Sequence, residues 1–175
     1  VGAGSCDEPS DYPGLAHLLE HIISLGSKEF PEEDAFSKFI SRHGGFENAF
    51  TSFNSTTYEF DIDNKYLSEA LYRFSRLLKE PLLRQTGIAK EVKAIDNEFE
   101  LAAVDEDIQR FQVILSNFPK GFPLNTFPWG NAKSLQQKEE ILQAETEKFY
   151  KAFYRNDTVK VCVHANYNLQ ELEEM

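Results

Sequence analysis

Apolar residues recur at spacings of three and four between Pro13 and Gly26, and this period predicts an amphipathic helix. The residues on its apolar face are Leu15, Leu18, Ile22 and Leu25. Asp11 suits the N-cap, Pro13 suits the first helical position, and Gly26 suits the stop. The apolar face is therefore predicted to point into the core of the domain.

The same helix carries two histidines and a glutamate within one turn. At about 100° per residue, His21 lies roughly 40° from His17, and Glu20 roughly 60° from it on the other side. Two imidazoles one turn apart can bind one zinc ion, and a glutamate beside them could take a proton from zinc-bound water. Isolated histidines are more often packed or surface residues, and a catalytic zinc site needs a third protein ligand.

The rest of the chain reads as helices with a few alternating segments. Helices are predicted over residues 31–45, 65–83 (ending at Pro81), 86–118 and 134–154, and strands over 48–54, 56–63 and 158–164. A tight turn at Asn54 and Ser55 joins the first two strands. We therefore predict one α+β domain over residues 1–175, with helices packed on a mixed or antiparallel β-sheet.

Composition narrows the class of protein. The net charge of −11 disfavours nucleic acid as a partner, since its phosphates attract basic surfaces. No apolar run approaches the roughly 20 residues of a membrane span, and no signal peptide is visible. Cys6 and Cys162 lack CxxC spacing, and two isolated thiols favour a reducing compartment, so we predict a cytoplasmic protein. Cys162 is predicted to be buried in the strand at 158–164.

Acidic residues on the predicted helix at 86–118 are candidates for a third zinc ligand. They are Glu91, Asp96, Glu98 and Glu100. Glu91 and Glu98 are two turns apart and flank a face formed by Val92 and Ile95 that should pack inward. A solvated helix face is the common alternative for each acid, and spacing alone does not choose among them.

The residues from His17 to His21 form an HxxEH motif, the inverted zinc signature. Its surroundings, from VGAGS at Val1 to EVKAIDNEFE, resemble the pitrilysin and insulin-degrading enzyme (insulysin) family of zinc metallopeptidases. The segments FPEEDAFSKF, NAFTS and AIDNE are more similar to the insulysin branch than to the mitochondrial processing peptidase branch.

This resemblance implies a metal site and a base. The implied zinc ligands are His17, His21 and Glu98, which would hold one ion. Glu20 would activate the water, and Glu91, two turns before the last ligand, would support the site. Zinc-dependent cleavage of peptides is the activity that follows from these roles.

The resemblance also implies a substrate site on the strand after the glycine pair. Its residues are Asn48, Ala49, Phe50 and Thr51, where an exposed edge would offer backbone groups to a peptide. Phe50 and Phe111 could line an apolar pocket beside the scissile bond. Two positions depart from the family pattern: Ser24 stands where relatives often carry a bulky apolar residue, and Pro128 in FPWGN replaces a glycine.

Members of this family are built from paired, similar domains that close around a chamber. The resemblance implies that residues 1–175 are an incomplete N-terminal catalytic domain, which works with the remaining domains of the same enzyme. The piece alone is expected to bind zinc, to cleave peptides little, and to self-associate through uncovered apolar surface. The alternative is a non-catalytic member that serves as an assembly or peptide-binding subunit, although such relatives typically lose a ligand or the motif glutamate.

Overall fold

The computed structural model describes all residues from Val1 to Met175. It contains seven α-helices and one two-stranded antiparallel sheet. In chain order the elements are α1 (Leu15–Ile23), α2 (Ala35–Arg42), β1 (Phe46–Thr51), β2 (Thr56–Asp61), α3 (Leu67–Lys79), α4 (Gln85–Ala102), α5 (Glu106–Ser116), α6 (Glu139–Phe153) and α7 (Leu169–Glu173). This arrangement confirms the predicted α+β class. No helix is both long and apolar enough to cross a membrane.

The core is built around α1, which contacts α4, α6 and β1. Seven of its nine residues are buried, including Leu15, Leu18 and Ile22 of the predicted apolar face. Only His17 and His21 keep partial exposure, on the edge of the helix that faces α4. The predicted apolar stripe therefore sets which side of α1 is left for polar chemistry.

The start of α1 differs from the prediction. The helix begins at Leu15, after Gly14 in a left-handed conformation with φ of 94°. The carboxylate of Glu8, and not that of Asp11, accepts the backbone N–H groups of Gly14 and Ala16, each at 2.8 Å. A side chain from outside the helix thus replaces the local cap, because the chain approaches α1 through a folded turn.

The sheet pairs β1 with β2 from Phe46 opposite Asp61 to Thr51 opposite Thr56. On the outer side of β2, Thr56 donates its N–H to the carbonyl of Val1 at 3.0 Å and accepts the N-terminal amino group at 2.9 Å. The outer edge of β1 pairs with no strand. One edge of this small sheet therefore stays open.

The predicted helix over 86–118 is wrong in its continuity, because it is broken between Ala102 and Glu106. Asp105 caps α5 by accepting the N–H groups of Asp107 and Ile108 at 2.9 and 3.1 Å. An aspartate followed by two acids is a strong helix-start signal, and here it overrides the helical period that continues through it. Phe111 accordingly lies on α5.

The predicted strand at 158–164 is also wrong. Apart from turn hydrogen bonds to Arg155, its one backbone hydrogen bond is at Thr158, whose carbonyl accepts the N–H of Gly2 at 2.8 Å. Val161 is 75% exposed, and Cys162 is exposed and not buried. Alternating valines form a strand only where neighbouring strands supply partners, and the described fold offers none here.

Helix α6 begins at Glu139, five residues after the predicted start. Asn131 and Ser134 form a local turn in which the Asn131 side chain accepts the Ser134 N–H at 2.8 Å. Such side-chain bonds to nearby backbone compete with the helix. The turn also lets Leu135 be buried outside any helix.

Candidate metal centre and peptide-binding edge

Helices α1 and α4 bring three potential ligand atoms together at the half-exposed edge of α1. Nε2 of His17 and Nε2 of His21 are 3.2 Å apart. Oε2 of Glu98 lies 3.5 Å from the first nitrogen and 3.6 Å from the second. No other group of three or more His, Cys, Asp or Glu side chains in the chain converges in this way.

The size of this triangle matches a tetrahedral zinc site. Zinc bonds of 2.0–2.2 Å in tetrahedral geometry place ligand atoms about 3.4 Å from one another. The three measured separations lie within a few tenths of an ångström of that value. Two imidazoles and one carboxylate also form a donor set that zinc takes in catalytic sites.

The outer nitrogens of both imidazoles have acceptors that set their protonation. Nδ1 of His17 is 2.7 Å from the carbonyl oxygen of Trp129, and Nδ1 of His21 is 3.1 Å from Oε2 of Glu91. Because a carbonyl oxygen and a carboxylate only accept, we assign the proton to Nδ1 in each neutral ring. Each Nε2 then points a lone pair into the triangle. In this protonation state, the two nitrogens and the Glu98 oxygen repel one another, and a bound cation would stabilise them.

The charges around the triangle also favour positive charge at this point. Burial alone lowers the pKa of His21, but the hydrogen bond to Glu91 and the charge of Glu98 outweigh it, so the pKa is raised. Positive charge is therefore favoured at this point of the fold. Burial raises the pKa of Glu20, although the hydrogen bond from Thr51 and the two imidazoles oppose that rise.

Glu20 lies beside the triangle and outside it. Its side chain is buried, and Oε2 accepts the hydroxyl of Thr51 at 2.5 Å. The other oxygen, Oε1, accepts no hydrogen bond within the protein and is not among the buried polar atoms that lack a partner. Glu20 lines the cleft in front of the triangle, and Oε1 is its oxygen left free to exchange a proton with water.

The contact that orients His17 depends on two glycines. Gly130 packs against Gly14, and a Cβ atom added to Gly14 would lie 2.3 Å from the Cα of Gly130. This close approach brings the carbonyl of Trp129 to His17. The sequence-based interpretation noted the FPWGN loop but assigned no role to Trp129. In the sequence, only the two glycines hint at this contact, because glycine readily takes the left-handed conformation that both adopt.

A cleft of about 500 Å³ opens in front of the three ligand atoms. Its apolar wall consists of Ala49, Phe50, Phe53, Phe111, Pro128 and Trp129. Phe50 and Phe111, named from the sequence, thus both border the cleft. A second cavity of about 280 Å³ shares Glu20 and His21 with the cleft, and Ser24, the departure from the family pattern, lines it beside Glu47 and Glu59.

Strand β1 borders this cleft with three of its four predicted substrate residues, Ala49, Phe50 and Thr51, whereas Asn48 lines the second cavity. Ala49 and Thr51 are half-buried, whereas Asn48 and Phe50 are exposed. Ser52 donates its N–H to Ser55 across the turn, so the alternation of an antiparallel ladder turns the backbone groups of Ala49 and Thr51 away from β2. Those groups face the open edge.

Comparison with known proteins gives relatives over the whole chain. The sequence profile described as "Insulinase (Peptidase family M16)" matches residues 1–125. Human nardilysin is 36% identical over 179 residues, which cover 99% of this chain and 16% of that protein. Human insulin-degrading enzyme is 33% identical over 179 residues, covering 100% of this chain and 18% of that protein.

A solved structure agrees with these matches. The crystal structure of pitrilysin superposes with a TM-score of 0.94 at 30% identity, over 98% of this chain and 18% of that one. The chain thus spans less than a fifth of the length of these relatives. The resemblance seen in the sequence is confirmed, and the chain belongs to the insulinase family of peptidases, family M16.

Proposed function

We propose that the protein containing this chain is a zinc-dependent endopeptidase. The observation that carries the proposal is the triangle of His17, His21 and Glu98, whose three ligand atoms lie 3.2 to 3.6 Å from one another. Membership of a peptidase family supports the same conclusion. When bound by these three side chains, zinc acts as a Lewis acid that makes water acidic enough to lose a proton near neutral pH.

The residues of the chain supply the proton transfers. Glu20 takes a proton from water at Oε1 while Oε2 stays bonded to Thr51. The same oxygen then delivers the proton to the leaving amine of the cleaved peptide. Glu91 and the Trp129 carbonyl hold the two imidazoles in the orientation that keeps Nε2 free.

A peptide substrate would add to the sheet at the open edge of β1. The backbone groups of Ala49 and Thr51 face this edge and offer a ladder of hydrogen bonds to an extended chain. The exposed rings of Phe50 and Phe111 border the same cleft and give apolar contact for substrate side chains. This mode of binding reads the peptide backbone, so it suits varied sequences.

We also propose that residues 1–175 are part of an N-terminal catalytic domain that works with further domains. The relatives are more than five times as long as this chain, and apolar side chains such as Leu101, Val104 and Val113 are more than half exposed. The free thiols of Cys6 and Cys162 support a reducing, cytoplasmic compartment. A non-catalytic role has no specific support, because both histidines and all three glutamates of the site are present.

The test uses the full-length protein with metal analysis and a peptide-cleavage assay. Glu20→Gln should keep zinc and lose cleavage by about 100-fold or more, since an amide takes no proton. His17→Ala should lose zinc and cleavage together. His164→Ala, which changes an exposed histidine far from the triangle in sequence, is the matched control and should alter neither. Normal cleavage by Glu20→Gln would show that Glu20 is not the base.

A further inference from the structure

We propose that Thr51 is a positioning residue for Glu20, which holds one carboxylate oxygen so that the other stays free of protein partners. The inference rests on the proposed function, because it assigns Thr51 a place in the same reaction. Thr51 stands in the substrate-binding strand, where the sequence marked it only as a contact for the peptide. Its hydroxyl instead reaches Oε2 of Glu20 at 2.5 Å.

The hydroxyl proton of Thr51 has one acceptor. Thr56 is the other nearby hydroxyl, but its Oγ1 lies 3.5 Å from that of Thr51 and donates to the carbonyl of Ala3 at 3.0 Å. A separation of 3.5 Å is at the limit of a hydrogen bond, whereas 2.5 Å is typical of a bond to a charged oxygen. The proton of Thr51 therefore goes to Glu20.

The hydroxyl of Thr51 is also the only protein donor to the carboxylate of Glu20. Glu20 is 8% exposed, and a carboxylate this far from water is costly without a hydrogen bond. Without the hydroxyl, Oε2 would turn to find another partner, and the position of Oε1 would no longer be fixed. The hydrogen bond thus selects one rotamer of the base.

The side chain and the backbone of Thr51 face different partners. Its side chain points to α1 and holds Glu20, while its backbone faces the open edge where a peptide would bind. Thr56, paired opposite, is 1% exposed and anchored to Ala3, so this end of β1 is held against the core. One rigid residue therefore sets the distance between the bound peptide and the base.

Kinetics of the full-length, zinc-loaded protein separate the hydroxyl from the shape of the side chain. Thr51→Val keeps the branched shape and should lower kcat by about 10- to 100-fold, with KM and zinc content little changed. Thr51→Ser restores the hydroxyl and should recover kcat to within about threefold of the wild type. Thr57→Val, on the neighbouring strand and without a hydrogen bond to the site, controls for the loss of a strand threonine.

A crystal structure of each variant gives a readout besides activity. In Thr51→Ser the Glu20 carboxylate should stay bonded to the introduced hydroxyl, and in Thr51→Val it should leave its position or take several. An unmoved Glu20 in Thr51→Val, or a kcat of Thr51→Val within twofold of wild type, would overturn the role of Thr51. A wild-type protein without chelator-sensitive cleavage would instead overturn the proposed function, and the position of Glu20 would still decide the present inference.

Discussion

The two histidines of the proposed metal site are oriented by different kinds of hydrogen-bond acceptor. His17 is oriented by a backbone carbonyl, whereas His21 is oriented by the buried carboxylate of Glu91. The backbone support survives any change of the Trp129 side chain, but the carboxylate support depends on one residue. At the scale of single residues, Glu91 is therefore the more vulnerable of the two contacts.

We expect Glu91→Gln to weaken zinc binding. The amide oxygen can still accept the Nδ1 proton of His21, but the negative charge that makes the imidazole a better ligand is lost. Zinc affinity of the full-length protein, measured by competition with a chelator, should fall by about 10- to 100-fold. Glu100→Gln removes an exposed carboxylate from the same helix and serves as the control. Equal affinities for the two variants would contradict the role of Glu91.

Glu8 gives α1 a dependence on pH. Burial raises the pKa of this carboxyl from 4.5 to about 8, although the N–H groups of Ala16 and Gly14 oppose the rise. Between pH 4.5 and about 8, Glu8 keeps its proton in the folded state and loses it in the unfolded state. The contribution of Glu8 to the free energy of unfolding is therefore full at low pH and falls as the pH rises toward 8.

Hydrogen exchange of residues 13–25 in the full-length protein can measure this dependence. The protection of the wild type relative to Glu8→Gln should be larger at pH 5.5 than at pH 8.5, since the variant does not titrate. Taking the ratio at each pH removes the intrinsic effect of pH on exchange. If the protection of the wild type relative to Glu8→Gln instead rose with pH, the fold would favour the ionised form of Glu8, which the positive end of the helix dipole stabilises.

At the scale of elements, the contact between α1 and the loop at Trp129 depends on the absence of two side chains. We expect Gly14→Ala to force the loop away from α1, because the added Cβ atom has no room beside Gly130. Unfolding should become easier by about 2–4 kcal/mol, from overpacking and the left-handed backbone together. Zinc affinity should fall as well, since the carbonyl that orients His17 moves with the loop.

Gly44 provides a matched control for this prediction. It also has a left-handed conformation, with φ of 73°, but nothing lies within 4 Å of an added Cβ. Gly44→Ala should therefore cost only about 1 kcal/mol of backbone strain and leave zinc binding as it is. Chemical denaturation and zinc titration of both variants would separate the two effects. Similar losses of zinc affinity would mean that the glycine pair does not act through the loop.

Elements with a local signal could be predicted from the sequence, and elements that depend on distant partners could not. The apolar spacing in α1 and the alternation in β1 and β2 are properties of the segments themselves. The strand at 158–164 failed because a strand exists only with its neighbours. The break before α5 was not predicted, because the apolar period continues past Asp105, where the structure begins a new helix.

The candidate site also has features that could be predicted from the sequence and features that could not. Two histidines one turn apart are visible in the sequence, but the choice of Glu98 over Asp96 or Glu100 needed the family resemblance. The hydrogen bonds of Trp129 and Thr51 join residues 112 and 31 positions away in the chain. No spacing rule covers such separations, so these contacts follow only from the packing of α1 against β1 and the loop.

At the scale of the whole molecule, we expect the proposed site to need further domains for full activity. All proposed ligands and the base lie within these 175 residues, whereas the cleft opens to solvent along the edge of β1. The isolated chain should therefore bind zinc and cleave peptides far more slowly than the full-length protein, since nothing opposite β1 holds the substrate. It should also self-associate in sedimentation experiments, through side chains such as Val104 and Ile114. Chelator-sensitive cleavage at the full-length rate would show that the chain is sufficient.

The spread of the site along the chain also sets an order of assembly during synthesis. A ribosome releases His17 and His21 first, Glu98 about 77 residues later, and the Trp129 carbonyl after that. Until α4 has emerged and docked, the two imidazoles lack both the proposed third ligand, Glu98, and the acceptor Glu91, and the Trp129 carbonyl follows later still. With the proposed ligand set, we therefore expect tight zinc binding by a nascent chain only after α1 has packed against α4.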